Sequence, residues 1–178
     1  MQILQNRFPH RSEIIAVLSV SVFVCHSWSI WGFLHELPSF LLYFRLAEIS
    51  VVFAYMMAFA FLESLLITAG LVLAGAILPS KWLRDGFAYK GFIFVAVGSI
   101  AAFILQKNLR YEFPSTQMLM LNLVIPLTLI ALFIAASHMW GPLQKVMLDI
   151  QDRISIMLYV YGPIGLVSIL VVVFRNLF

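Results

Sequence analysis

From Ile49 to Ser80 the chain reads ISVVFAYMMAFAFLESLLITAGLVLAGAILPS. Apart from Glu63, each of these residues can sit in hydrocarbon. A bilayer core offers the backbone no water, so a segment crossing it must satisfy its own N–H and C=O groups, as a helix does. A span needs roughly 20 apolar residues, so this run is either one long helix or two short spans broken near Glu63. No Pro, Gly or Asn falls between Ile49 and Ala69, and without a turn signal one helix is expected. Its length of about 45 Å requires strong tilt or protrusion.

The rest of the chain has the same character. Apolar residues make up 63% of the 178 and charged residues 11%, with a mean hydropathy of +1.02, whereas soluble domains carry about 25% charged residues. We therefore expect an all-α fold, a polytopic integral membrane bundle forming a single domain over 1–178. Five spans are expected at about 13–33, 48–78, 87–105, 116–137 and 154–174. The N-terminal run is longer than a signal-peptide core and ends in Trp28 and Trp31, and so reads as a retained first span. Pro126 and the Gly162-Pro163 pair predict kinks, the first freeing a carbonyl near Asn122. Asp85-Gly86 reads as a turn.

Two further segments are too charged for spans and too apolar for free loops. Residues 38–46 open on Pro38-Ser39 and carry Leu41, Leu42, Phe44 and Leu46. Residues 142–153 place Leu143, Val146, Met147 and Ile150 at i, i+3, i+4 and i+7, with Gln144, Lys145, Asp149 and Asp152 opposite. Both predict short interfacial helices.

The net charge of +3 does not point to nucleic acid, because the basic residues fall in short clusters between apolar runs. Five spans put Arg7, Arg11, Lys81, Arg84, Lys90, Lys145 and Arg153 on the N-terminal side, against Arg45, Lys107, Arg110 and Arg175 on the other. Seven against four fits a cytoplasmic N-terminus and an outer C-terminus in a bacterial-type plasma membrane. Six spans would split the charges of the loops and termini evenly, with Arg45 left out.

Depth counting groups three polar residues. His26 lies about 20 Å along span 1 from Glu13, and Glu63 about 22 Å from Leu78. Asn122, entering from the outer side, falls about 20 Å from the inner edge of a core about 30 Å thick. Cys25 and Ser27 flank His26 at that level. The lone Cys25 allows no intrachain disulfide. Ionisable groups inside bilayers mark proton or ion relays. The alternative is a neutral Glu63 that joins helices by hydrogen-bonding to His26, Asn122 or a freed carbonyl. Glu63 shares a helical stripe with Met56, Ala60, Ile67, Gly70 and Ala74, mostly small residues that allow close helix packing. Ala60, Ser64 and Thr68 form a neighbouring small stripe.

A second cluster is expected at the outer surface: His35, Glu36, Arg45, Glu48, Lys107 and Arg110, with Glu112 nearby. It is either a headgroup or ligand pocket or an ordinary solvated rim, with Arg45 and Glu48 at pairing distance on a helix. His26 is mid-span and His138 lies at the inner end of span 4, so no facing histidine pair exists for haem. No cofactor or metal is expected. CxxC, GxSxG and HExxH are absent from the sequence. The leading functional expectation is a non-catalytic subunit or scaffold that packs with other membrane chains or with itself. The alternatives are a small oligomeric transporter or channel with Glu63 on its pathway, and an intramembrane lipid-modifying enzyme using the outer cluster.

Overall fold

The structure, a computed structural model, describes residues 8–79, 83–109, 116–139 and 141–177. Its elements are helices α1 (Arg11–Tyr43), α2 (Leu46–Ile77), α3 (Phe87–Leu109), α4 (Thr116–Met139) and α5 (Gly141–Leu177). All five are long and apolar enough to cross a membrane. The run around Glu63 is one helix of 32 residues, about 48 Å long, as the missing turn signal requires.

The two short helices do not stand as separate elements. Residues 38–43 are the last turns of α1, which continues through Pro38. An aromatic series holds that extension: Phe40 lies 5.9 Å from both Phe33 and Phe44, and Phe33 meets Phe53 of α2 at 5.1 Å. Extended Phe44 and Arg45 then make the whole connection to α2. Residues 142–153 are the opening turns of α5, because no helix breaker falls between Pro142 and Gly162. Met147 and Gln151 turn inward there, while Val146 and Ile150 stay exposed. Helices α4 and α5 likewise run continuously through Pro126 and Pro163. Gly86 has φ +75°, a left-handed conformation suited to glycine, at the turn expected for Asp85-Gly86.

Helices α1, α2 and α5 pack mutually, α3 lies against α1, and α4 sits outermost on α3 and α5. Among the described residues, α4 makes no contact with α1 or α2. Two glycines set the closest approaches. A Cβ on Gly165 would lie 2.7 Å from Phe61 on α2, and one on Gly91 would collide with Val17 on α1. The apolar core gathers near the N-terminal end of α1: Val17, Val20, Leu83, Phe87 and Val95 form one cluster, and Tyr89, Ile93, Ile130 and Met147 an adjoining one. Buried positions on α1 run from Val17 to His26 and stop there. The two cavities described below take their α1 lining from Trp28 onward.

Candidate functional site

One cavity is a groove of about 630 Å³ between α2, α1 and the last turn of α5. Its polar lining is Ser29 from α1, Tyr55 and Glu63 from α2, and Arg175 and Asn176 from α5. Tyr55 and Glu63 are two turns apart on one face, about 12 Å along the axis, so the groove runs lengthwise with Glu63 at its deep end. The Tyr55 hydroxyl donates to Asn176 Oδ1 at 3.2 Å. Asn176 Nδ2 in turn donates to the Val172 carbonyl at 2.9 Å, which fixes the amide's orientation. The Glu63 carboxylate is exposed and has no hydrogen bond or ion pair among the described residues.

The three residues expected at one depth do not join. His26 is fully buried; its Nδ1–H donates to the Val22 carbonyl at 2.9 Å. A carbonyl only accepts, so the proton sits on Nδ1 and the lone pair on Nε2. Nε2 is buried and has no hydrogen-bond partner among the described residues. The ring stacks on Tyr161 at 5.2 Å and meets Phe61 edge-on at 6.3 Å. Asn122 turns back to its own helix, donating to the Met118 carbonyl at 3.0 Å. It lies on α4, out of contact with the helices that carry His26 and Glu63.

The stripe through Glu63 also divides. Ala60 is buried, whereas Ile67 and Gly70 are exposed, with nothing within 4 Å of a Cβ built on Gly70. The neighbouring stripe of Ala60, Ser64 and Thr68 is the packed one. Its two hydroxyls donate within α2, to Phe61 and Ser64 carbonyls.

The outer cluster separates into two groups. His35, Glu36 and Lys107 line a cavity of about 500 Å³ between α1 and α3, walled by Trp28, Trp31 and Phe103. Trp28 meets Phe103 edge-on at 5.2 Å. Arg45 and Glu48 instead form the start of α2. Glu48 Oε2 accepts the Arg45 backbone N–H at 2.8 Å, satisfying a helix N-terminus rather than pairing with the guanidinium. Arg110, Glu112 and the side chain of His138 lie outside the described residues. Met56 lines both cavities, so one flexible thioether side chain belongs to the wall of each.

Sequence reasoning missed two buried polar side chains at the opposite end. Gln151 and Lys90 are buried; Gln151 Nε2 donates to the Ala88 carbonyl at 3.3 Å, and Lys90 Nζ lies 5.7 Å from the Tyr89 ring centre. Gln151 lies four residues after Met147 on the inward stripe, a spacing that marks it as facing the core. The polar groove residues of α5 carried no comparable signal, since Arg175 and Asn176 read as an ordinary span end. Among the described residues, no group of three or more His, Cys, Asp or Glu side chains could hold a metal ion. Comparison with known protein families, curated proteins and solved structures gives no match to the chain.

Proposed function

We propose that the chain is an integral membrane protein of five spans that acts as a non-catalytic subunit, packing through the Glu63 face of α2 against another membrane chain. The unpaired Glu63 carries this reading. A charged side chain at the bilayer centre costs about 2.5–3.5 kcal/mol on insertion scales, and Glu63 stands exposed midway along α2 with no hydrogen bond or ion pair among the described residues. A hydrogen-bonding group from a second chain removes that cost. The exposed Ile67 and Gly70 beside it leave room for a helix to approach.

In this reading the N-terminus is cytoplasmic and the C-terminus outside. Helices α1 and α5 have 33 and 37 residues, about 50 and 56 Å. Both exceed a hydrocarbon core of about 30 Å, so the end of α1 and the amphipathic start of α5 lie at the two interfaces. Purification of the full chain in mild detergent tests the reading. A stoichiometric second membrane chain is expected, released by Glu63→Leu while the chain still melts cooperatively. Recovery of a stable homomer alone would sink it.

The groove favours a second reading, a transport path, because Ser29, Tyr55, Glu63 and Arg175 line one continuous space. Here Glu63→Gln abolishes proton or cation flux in liposomes with folding intact. Unchanged flux removes Glu63 from any path.

A further inference from the structure

The cavity between α1 and α3 contains opposite charges that do not meet. Glu36 and Lys107 both line it, yet no hydrogen bond or ion pair joins them or any other described residue to either. Two such side chains on facing helices ordinarily close a surface ion pair. Here the space between them is about 500 Å³.

The walls are apolar and aromatic. Trp28, Trp31 and His35 recur along one face of α1 at i, i+3 and i+7, and Phe103 and Lys107 along α3 at i and i+4. Trp31 is 72% exposed and Trp28 39%, whereas a tryptophan that only fills a core is covered. Indoles at this level belong to the headgroup region of a bilayer, where an apolar body and a polar edge are both satisfied. Gly32, next after Trp31, leaves the cavity floor to the Met56 side chain from α2.

We infer that this cavity binds the headgroup of a zwitterionic aminophospholipid of the outer leaflet. The ammonium donates to Glu36 and lies against the Trp31 face, where a cation is attracted by the ring quadrupole. The phosphate meets Lys107 and His35, and the first acyl methylenes run down past Trp28 and Phe103. The charge balance selects this class. Among the described residues that line it, one carboxylate and one ammonium match a zwitterion, whereas an anionic lipid sets its net charge beside Glu36. A primary ammonium has N–H donors for that carboxylate and a quaternary choline has none. The site rests on the membrane placement proposed above, and on neither a partner chain nor Glu63.

Native mass spectrometry of the detergent-purified full chain, titrated with phosphatidylethanolamine, phosphatidylcholine or phosphatidylglycerol, tests it. The ethanolamine lipid should bind about ten-fold tighter than the glycerol lipid, the margin one charge-assisted hydrogen bond supplies. Glu36→Gln should abolish that preference, and Lys107→Gln should weaken all three lipids. Both side chains are exposed, so both variants should sediment with membranes and melt like the parent. Equal binding of ethanolamine and glycerol lipids, or a preference that survives Glu36→Gln, overturns the assignment. Displacement by soluble phosphoethanolamine at matched concentration overturns it too, since the acyl contacts would then contribute nothing. Loss of the parent chain from the membrane fraction would separately overturn the membrane placement.

Discussion

The Tyr55 hydroxyl and the Asn176 side-chain oxygen lie 3.2 Å apart although 121 residues separate them in sequence, and this bond ties α2 to the last turn of α5 above Glu63. A half-exposed neutral hydrogen bond contributes about 0.5–1.5 kcal/mol. Tyr55→Phe should lower stability by no more than that in a detergent melt. It should also speed labelling of a cysteine placed at Val52, because the groove mouth is no longer held. Unchanged labelling would show that the bond does not close the groove.

Gly165 sets the distance between α5 and α2. A methyl group there meets Phe61 Cβ, an atom that cannot swing aside, so Gly165→Ala should destabilise by about 1–3 kcal/mol, as overpacking does. Gly98 has nothing within 4 Å of a built Cβ. Gly98→Ala should therefore leave the melt unchanged or raise it slightly through helix propensity. Equal effects at the two positions would contradict the packing described for α2 and α5.

For His26, the stack on Tyr161 and the orphaned Nε2 make a separable prediction. Phenylalanine keeps the ring contact and removes a buried atom that lacks a partner, so His26→Phe should cost less than about 1.5 kcal/mol. His26→Ala leaves a cavity beside Phe61 and Tyr161 and should cost about 2–5 kcal/mol. Should a transport assay exist, flux lost in the well-folded phenylalanine variant would give His26 a proton-handling role.

Among the described residues, Gln151 makes one bond and leaves its Oε1 buried and unpaired. Gln151→Met, similar in volume, should be near neutral, within about 1 kcal/mol in the same melt. Gln151→Glu brings a buried carboxylate and should destabilise by several kcal/mol. That penalty should shrink as pH falls and the carboxyl takes up a proton.

The number and order of the helices were legible because each is built on a long, mostly apolar run. Glu63 did not obscure its run, since one carboxylate lacks the backbone consequences of Pro or Gly. The two short helices were misjudged for the converse reason. Amphipathic composition at 38–46 and 142–153 describes what those faces touch, whereas helix termination depends on a breaker; 142–153 has none after Pro142, and the aromatic series from Phe33 to Phe44 carries α1 past Pro38. The polar layer was inferred from depth alone. Depth is fixed by residues along a helix, but contact also needs helices that are neighbours, and α4 is not a neighbour of α1 or α2.

The sequence by itself determined five apolar helices and the single helix through Glu63. Each of these follows from local periodicity, hydropathy and the cost of an unsatisfied backbone in hydrocarbon. Only the tertiary structure decided which helices touch. It sent Asn122 to its own backbone, stacked His26 on Tyr161, gave Glu48 to the start of α2, and set Arg175 in the groove of Glu63. Helix adjacency depends on side-chain interlocking between distant segments, such as Gly165 against Phe61, and no periodicity within one helix encodes it.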